Sequence, residues 1–277
     1  MRLARREISP QPARVIPAPR FNVLGSGISA LSLDDARDLV LSARGQLRLG
    51  YICHATAYNV HAALTDTALR LAYRDSLLTA PDGMPLVWLG RWHGHRQVTR
   101  VYGPDLMNAA CDAGRAVGLR HYFFGGVSGV AEELRRKLTA KFPGLEVVGT
   151  YSPPWRALTP GEFARVQAEI AALRPDVVWV GLSSPKQEVF MAEHAAKLDA
   201  GLLIGVGAAF DFLSDRVPQA PRWMQRSGLE WFFRLCTEPR RLWKRYVVGV
   251  PLFTLRCAAQ LSGLKKYAEE NAEARKH

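Results

Sequence analysis

Three polar residues, Lys186, Gln187 and Glu188, follow a short apolar run and are the first candidates for ligand chemistry. The run at 177–180 predicts a strand buried on both faces, and Pro185 stands near the first position of the helix that follows. In open parallel sheets, ligands bind outside the carboxyl ends of the strands, where a helix start offers free N–H groups and a partial positive charge. The stretch therefore predicts a site for a polar or phosphate-bearing ligand, although an ordinary crossover loop with a solvated lysine fits it equally well.

Two other predicted strand ends carry residues of a similar kind. Asp82 follows one short strand, while Gly125 and Gly126 lie between another strand and a helix predicted to be capped by Ser128. Paired glycines before a helix start can cradle a phosphate, but their spacing is not the GxGxxG of dinucleotide-binding folds. Asp82 with Gly83 is also ordinary turn chemistry, and a plain turn is the favoured interpretation of that dipeptide taken alone.

The sequence contains no pattern that is typical of a metal site. His93 and His95 share a loop without further ligands at a suitable spacing, so we interpret them as exposed loop histidines. The four cysteines are scattered, which favours a reducing compartment over a disulfide framework. We expect neither a metal nor a cofactor.

The alternation of strands and helices indicates an α/β fold, a Rossmann-like and mostly parallel sheet with helices on both faces. Right-handed crossovers would bring the carboxyl ends of the strands to one edge. A single crevice would then be lined by six residues: Asp82, Gly125, Gly126, Lys186, Gln187 and Gly207.

We predict four segments along the chain. Residues 1–20, with five arginines and four prolines, are expected to be a basic disordered arm, and residues 21–214 the α/β domain that carries the crevice. Residues 215–262 are expected to form a helical appendage, and residues 263–277 a solvated tail of mixed charge.

The predicted appendage is basic and rich in aromatic residues. Between 216 and 245, eight basic residues stand against two acidic ones, and three of the seven tryptophans lie there. Amphipathic helices at about 228–236 and 239–260 would present cationic faces with aromatic flanks, which suits anionic lipid at roughly 1 kcal/mol for each basic residue near the surface. Packing within the molecule or against a second subunit is the alternative, so a homo-oligomer stays open.

The whole chain has a net charge of +12 with 48% apolar residues, which predicts a folded protein with an anionic partner. That partner could be nucleic acid, anionic lipid or a phosphorylated substrate. No run approaches the roughly 18 apolar residues of a membrane span, and no hydrophobic signal region opens the sequence, so we expect any membrane contact to be peripheral.

Taken together, several stretches resemble the WecG/TagA/CpsF glycosyltransferases over about residues 21–250. They are residues 81–83, 100–106, 124–126, 181–188, 205–207, 210–212 and 220–221, with Glu230, Trp231, Arg234, Glu238, Pro239 and Arg241. The Pro-Lys-Gln-Glu run at 185–188 and the later Glu-Trp and Glu-Pro elements make the resemblance specific when they occur together.

The resemblance implies an inverting, metal-independent transfer of a sugar from a nucleotide diphosphate sugar, with UDP as the expected nucleotide. The implied acceptor is a polyprenyl-diphosphate-linked sugar in cell-surface polysaccharide biosynthesis. It also implies a cytoplasmic protein, peripheral at the inner face of the plasma membrane, with an anionic membrane surface but no nucleic acid among its partners. The sequence contains no Asp-x-Asp run, which agrees with metal independence.

By the same resemblance, Asp82 is the expected general base. The expected substrate-binding residues are Asn59, Thr56, Gly83, Arg100, Asp105, Gly125, Gly126, Lys186, Gln187, Glu188, Gly207 and Asp211. Those expected at the acceptor diphosphate or the membrane are Arg234, Arg241, Lys244 and Arg245. The sequence departs from the family pattern in three places: Thr56 lies one position early relative to Asn59, Gln219 replaces an arginine, and Lys244 replaces another.

Two other function classes fit parts of the sequence. A basic nucleic-acid-binding protein would use arginine and tryptophan for phosphate contact and stacking, but it leaves the polar crevice without a role. A nucleotide-dependent oxidoreductase on the same sheet is disfavoured because the GxGxxG motif and an acidic ribose partner are missing.

Overall fold

The computed structural model describes residues 18–269. All but three residues of the predicted basic arm, and the last eight residues of the predicted solvated tail, lie outside the described residues. Within 18–269, no helix has both the length and the apolar content that crossing a bilayer requires.

A six-stranded parallel sheet forms the centre of the fold, preceded by a small antiparallel hairpin. The hairpin strands are β1 (Arg20–Val23) and β2 (Ser26–Ser29), and the sheet strands are β3 (Gly50–Ala55), β4 (Leu78–Pro81), β5 (Arg120–Gly125), β6 (Glu146–Tyr151), β7 (Val177–Gly181) and β8 (Leu202–Gly205). The order across the sheet is β4-β3-β8-β7-β5-β6, and every neighbouring pair is parallel.

Helices cover both faces of this sheet. They are α1 (Leu33–Ser42), α2 (Ala57–Ala62), α3 (Thr67–Asp75), α4 (Met84–Trp92), α5 (Gly103–Gly114), α6 (Val130–Lys141), α7 (Pro160–Leu173), α8 (Lys186–His194) and α9 (Ala209–Leu213). One buried cluster takes side chains from α2, α3, α4, α7 and α8, and the other takes them from α1, α5, α6 and α9. The predicted α/β fold with helices on both faces is therefore confirmed.

Strand β7 shows why both faces are covered. Val178 and Val180 belong to one buried cluster, while Val177 and Trp179 belong to the other, because successive side chains in a strand point to opposite faces. The indole of Trp179 is fully buried and donates a hydrogen bond to Nδ1 of His121 at 3.0 Å. An unbroken apolar run thus predicted a doubly buried strand correctly.

Local capping chemistry sets several helix starts. Ser32 and Asp35 form a capping box at α1, and hydrogen bonds from Ser32 lower the pKa of the Asp35 carboxyl. The predicted Ser128 cap is wrong: α6 is preceded by Gly129 at φ +83, without a side-chain cap. A left-handed backbone conformation at that position favours glycine, so Gly129 occupies the N-cap position of α6.

The appendage, residues 215–262, forms a chain of helices beside the carboxyl ends of β3 and β4. They are α10 (Arg222–Arg226), α11 (Glu230–Thr237), α12 (Pro239–Trp243) and α13 (Val250–Leu261), with a π-helical stretch at Lys244–Gly249 joining the last two. Phe253 and Cys257 of α13 pack into the cluster that contains α2. The helix predicted at 239–260 is present as α12, the π-helical stretch and α13 in series.

The far end of the appendage returns to the hairpin. The side chain of Gln260 accepts a hydrogen bond from the Leu24 N–H at 2.9 Å and donates one to the Asn22 carbonyl at 3.1 Å. The Asn22 side chain donates to the Tyr267 carbonyl at 2.7 Å. The described part of the predicted tail, residues 263–269, therefore includes contacts with the hairpin.

A buried carboxylate connects three loops at the amino-terminal edge of the sheet. Asp176 accepts hydrogen bonds from the backbone N–H of Gly45 at 2.7 Å and of Arg120 at 2.8 Å, one on each oxygen. The Arg44 guanidinium lies 3.5 Å away. Bonds to a charged acceptor are stronger than neutral ones, so this contact fixes the starts of β5 and β7.

We predict that Asp176→Asn lowers the free energy of unfolding by about 2–4 kcal/mol, because an amide cannot accept both backbone N–H groups and leaves one unsatisfied. Urea unfolding followed by circular dichroism measures the change. Asp199→Asn is the matched control, since Asp199 pairs with the exposed Arg48 and with no other cation of residues 18–269, so its loss should cost at most about 1 kcal/mol. Equal losses in both variants would contradict the role given to Asp176.

Candidate active site

The carboxyl ends of β3 and β4 and the inner side of the appendage enclose a pocket of about 390 Å³. We call it the carboxylate pocket. Its sheet side is formed mainly by Thr56, Tyr58, Asp82, Gly83, Arg100 and Tyr102, and its appendage side by Glu230, Trp231, Arg234, Arg245, Tyr246 and Val250.

Backbone pairing places Asp82 in this pocket. The register of β3 and β4 ends at the pair Ala55 and Pro81, and the Asp82 N–H donates to the Ala55 carbonyl at 2.9 Å. Gly83 then caps α4, so the helix starts inside the pocket. The Asp82 side chain thus stands at a strand end beside a helix N-terminus.

Arg100 holds Asp82 and also reaches the appendage. Its Nε donates to the Asp82 carbonyl at 2.5 Å, and its Nη2 lies 3.4 Å from Asp82 Oδ1 and 2.6 Å from Glu230 Oε2. The three side chains are 20% exposed or less, so solvent screens these charges less than at the open surface. Within residues 18–269, the Oδ2 atom of Asp82 receives no hydrogen bond.

Arg245 of the appendage lines the same pocket as Asp82. Arg245 Nη2 donates to Thr56 Oγ1 at 3.1 Å, and its guanidinium lies 5.0 Å from the ring centroid of Tyr58. Arg245 forms no ion pair with any residue of the described chain, and its Nε is buried without a partner. Thr56 in turn caps α2 by accepting from the Asn59 N–H at 3.3 Å, which holds this corner in place.

The four predicted appendage cations lie in two places. Arg234 and Arg245 line the carboxylate pocket, and Arg234 also lies 3.6 Å from Glu238. Arg241 is exposed and pairs with Glu238, while Lys244 is exposed beside Trp243. Only two of the four therefore face the pocket that contains Asp82.

Gln187 and Glu188 are buried beneath the loops. Glu188 Oε1 accepts hydrogen bonds from Ser184 Oγ at 2.6 Å and from Gln187 Nε2 at 3.1 Å, and burial raises the pKa of the Glu188 carboxyl. Gln187 packs against the end of β8, where a Cβ added to Gly205 would lie 3.1 Å from its Nε2. The structure therefore places both residues as supports of the strand ends, with one oxygen on each left without a partner.

The paired glycines lie in the turn between β5 and α6, which packs against the end of β7. Gly126 donates its N–H to the Gly181 carbonyl at 3.0 Å, and a Cβ on Gly125 would lie 2.5 Å from that same oxygen. Only a residue without a side chain fits at Gly125, where φ is +145. Neither glycine lines the carboxylate pocket.

The structure does not gather the six predicted crevice residues in one pocket. Asp82 lines the carboxylate pocket, Lys186 lines a second pocket of about 690 Å³, and the other four line neither. The reason is the strand order, since β4 and β7 are separated by β3 and β8, and three spacings of about 4.8 Å put their ends about 14 Å apart.

Three other predicted site residues make different contacts. Asp105 pairs with Arg222 at 2.9 Å. Asp211 lies on α9, and burial raises the pKa of its carboxyl. Asn59 is buried on α2 behind the pocket wall.

Sequence reasoning missed the partner of Arg100 and the imidazole below Asp82. Glu230 belongs to the Glu-Trp element of the family resemblance, but no contact was predicted for it. Its partner, Arg100, lies 130 positions away in the sequence. His54 is buried on β3 and its Nδ1 donates to the Gly205 carbonyl at 2.9 Å, while burial lowers its pKa. A histidine inside an apolar strand gives no signal that separates it from a core residue.

A family model and two named relatives that resemble this chain are all glycosyltransferases. The model of the family described as "Glycosyl transferase WecG/TagA/CpsF family" matches residues 21–267. A protein of Bacillus subtilis (strain 168) named N-acetylglucosaminyldiphosphoundecaprenol N-acetyl-beta-D-mannosaminyltransferase is 30% identical over 194 residues, which cover 70% of this chain and 73% of that protein. A protein of the same name from Bacillus spizizenii is 32% identical over 173 residues, which cover 62% of this chain and 65% of that protein.

The matched range runs from the first hairpin through the sheet and the appendage. It includes Asp82 and the three arginines of the carboxylate pocket, Arg100, Arg234 and Arg245. On this match the chain belongs to the WecG/TagA/CpsF family of glycosyltransferases.

Proposed function

We propose that the protein transfers an N-acetylhexosamine or related sugar from a UDP-sugar to a polyprenyl-diphosphate-linked sugar, with inversion and without a metal ion. The observation that carries the proposal is the Asp82 carboxylate, held on one oxygen by Arg100 and without a hydrogen bond on the other within residues 18–269, in a pocket that Arg245 also lines. The two Bacillus relatives are named for transfer of an N-acetyl-beta-D-mannosaminyl group to N-acetylglucosaminyldiphosphoundecaprenol, which supports this substrate class.

Asp82 is proposed to act as the general base. Its Oδ2 would take the proton of the acceptor hydroxyl while the hydroxyl oxygen bonds to the anomeric carbon of the donor sugar. The bond from that carbon to the nucleoside diphosphate breaks on the opposite face, and its electron pair leaves with the diphosphate. A base positioned in this way contributes roughly 10²–10⁴-fold to the rate.

The carboxylate pocket suits an acceptor that carries both a diphosphate and a hydrocarbon chain. Arg234 and Arg245 supply cations, and the first turn of α4 supplies a helix N-terminus. Trp88, Trp231 and Val250 line the same pocket with apolar surface. We propose that these cations meet the acceptor diphosphate, because charge-assisted hydrogen bonds to phosphate are the stronger ones.

The outer side of the appendage supports a peripheral place at the cytoplasmic face of the membrane. Its exposed apolar residues include Trp223, Phe232, Trp243, Val247 and Leu255. Exposed basic residues alternate with them: Arg226, Arg240, Arg241 and Lys244. Aromatic and basic side chains on one surface favour the headgroup region of anionic lipid. Nucleic acid is not proposed as a partner, because Arg245 lines a pocket that also contains the Asp82 carboxylate.

We predict that Asp82→Asn reduces sugar transfer by at least 10²-fold, because an amide cannot accept the hydroxyl proton. UDP binding should stay within a factor of about two, since the amide keeps the size of the carboxylate. Product mass, with a panel of UDP-sugars and a lipid-diphosphate-linked sugar, gives the rate, and calorimetric titration gives the binding. Asp38→Asn, on the exposed face of α1, is the control and should keep normal turnover. Normal turnover in Asp82→Asn would refute the base assignment.

Arg245→Met should raise KM for the lipid-linked acceptor by roughly 10- to 100-fold, since a charge-assisted contact to phosphate contributes about 1.5–3 kcal/mol. KM for the UDP-sugar should change much less. Initial rates with each substrate varied in turn separate the two effects. Arg48→Met, at the opposite edge of the sheet, is the matched control. An unchanged acceptor KM would remove Arg245 from the proposed site.

The double substitution R226E/R240E should weaken binding to vesicles containing anionic phosphatidylglycerol by about tenfold or more, because each basic residue contributes about 1 kcal/mol at such a surface. Vesicle sedimentation measures it, with neutral phosphatidylcholine vesicles as reference. R48E/R165E makes the same charge change away from the appendage and should bind as the wild type does. If the two double variants behave alike, the appendage surface does not carry the membrane contact, and a change in oligomeric state by light scattering would assign it to a second copy.

A further inference from the structure

Helix α4 of the sheet domain exposes two tryptophans on one face. Trp88 and Trp92 lie about one turn apart on this helix, and they are 51% and 74% exposed. The opposite face of α4 is buried through Leu86, Val87 and Gly90. A surface helix ordinarily carries polar residues where α4 carries these two indoles, and adjacent exposed apolar side chains mark a contact surface.

The packing of α4 on the hairpin holds the two indoles outward. An added Cβ at Gly90 would lie 2.9 Å from the ring of Phe21, so the helix and β1 are in close contact. Because no side chain fits between them there, α4 cannot rotate about its axis to bury Trp88 or Trp92 instead. The exposure of the indoles is therefore a fixed property of the fold.

The same surface carries positive charge without negative charge. Residues 84–99 contain two arginines, Arg91 and Arg96, and neither aspartate nor glutamate. Both arginines are exposed, and neither forms an ion pair with a residue of the described chain. Arg91 donates through Nε to the Val98 carbonyl at 3.2 Å, which leaves its charge uncompensated. Cations that have no local counter-charge attract an anionic partner.

Trp88 connects this surface to the carboxylate pocket and to the appendage. Its indole lines the pocket together with Trp231 of α11, and a Cβ added to Gly228 would lie 2.9 Å from the Trp88 ring. Gly228 lies in the link between α10 and α11, where Arg226 and Leu229 are exposed. The basic and aromatic surface of the appendage therefore continues onto α4 beside the pocket.

Indole rings beside arginines match the headgroup region of an anionic bilayer. Tryptophan favours that region because its ring is apolar while its N–H can still reach water and headgroups. Basic side chains add a favourable electrostatic energy wherever the lipid is anionic. A single-stranded nucleic acid needs a groove that follows its backbone, and the outer face of a helix is convex. The lipid surface is therefore the partner that this chemistry favours.

We propose that α4 is a second membrane-contact element, with Trp88 and Trp92 in the headgroup region and Arg91 and Arg96 at the phosphates of anionic lipid. With the appendage on its other side, the carboxylate pocket would then open toward the bilayer, and a lipid-linked acceptor would reach Asp82 without leaving the membrane. The identity of that acceptor rests on the proposed function, whereas the contact rests on α4 itself.

The first test is sedimentation of wild type, Trp92→Ala and R91E/R96E with vesicles of phosphatidylcholine that contain anionic phosphatidylglycerol. Trp92→Ala should weaken binding by about 5-fold or more, because it removes an indole from the lipid interface. R91E/R96E should weaken it by about tenfold or more, and the effect should disappear on pure phosphatidylcholine, since it is electrostatic. None of the three residues lines the carboxylate pocket, so sugar transfer to a short-chain, water-soluble acceptor should stay normal.

Two matched controls make the same chemical changes elsewhere. Trp155→Ala removes an indole that is 77% exposed in the segment after β6, at the opposite edge of the sheet from β4. R48E/R165E reverses two exposed arginines outside α4 and the appendage. Both controls should bind vesicles as the wild type does. Unchanged thermal midpoints of the α4 variants show that any loss is not due to unfolding.

A fluorescent probe at position 92 tests the contact directly. Trp92→Cys in a Cys236→Ser background can be labelled with the environment-sensitive dye NBD, because the other three cysteines are buried. Its emission should shift to the blue on anionic vesicles and be quenched by nitroxide-labelled lipid. The same label introduced by Asp38→Cys, on the exposed face of α1, should show neither change.

The outcomes separate this inference from the function on which it partly rests. If Trp92→Ala and R91E/R96E bind vesicles as the wild type does, α4 does not contact the membrane and the inference is wrong, while the proposed reaction stands. If the probe at position 92 enters lipid but the wild type transfers no sugar from any UDP-sugar, the contact stands and the proposed function is wrong. If R91E/R96E instead loses binding to a single-stranded oligonucleotide, or changes the oligomeric state measured by light scattering, the surface belongs to nucleic acid or to a second copy and the assignment to lipid is overturned.

Discussion

The guanidinium of Arg100 is the contact on which the proposed active site depends. It joins the backbone and side chain of Asp82 to Glu230 of the appendage, and all three side chains are largely withdrawn from solvent. Taking one partner away would leave a poorly solvated charge behind, which costs far more than a surface ion pair. The position of the base and the docking of α11 are therefore set by the same group. The pocket is complete only when both halves of the molecule are in place.

The carboxylate pocket joins two differently built surfaces. Its sheet side is set by the pairing of β3 with β4 and by the contact of Arg100 with Asp82, while its appendage side combines cations with apolar side chains. Gln187 and Glu188 lie buried beneath the neighbouring loops, and each keeps one oxygen without a partner in the described part of the chain. In the proposed reaction, the sheet side supplies the base and the appendage side meets the acceptor.

The sequence predicts those features of the fold that depend on neighbouring residues. The doubly buried strand β7, the capping box at α1 and the bounds of α4 all follow from local spacing and composition. The strand order does not, because the hydrophobic pattern of a strand says nothing of which strand lies beside it. Asp82 and Lys186 were accordingly expected in one crevice and lie at the ends of different strands, in separate pockets. The contact of Glu230 with Arg100 could not be found either, because it joins positions that are 130 residues apart.

The hydrogen bonds between Gln260 and the hairpin have a consequence for the order of events during synthesis. They connect positions 236 and 238 residues apart, so the ends of a very long loop must meet before they can form. Such contacts come late in folding, after local helices and neighbouring strands have formed. On a ribosome, the sheet could assemble while the appendage is still inside the exit tunnel. The hydrogen bonds of Gln260 to the hairpin could not form until the last turn of α13 had emerged. The growing chain would therefore carry an open, incomplete carboxylate pocket until the last turn of α13 has left the ribosome.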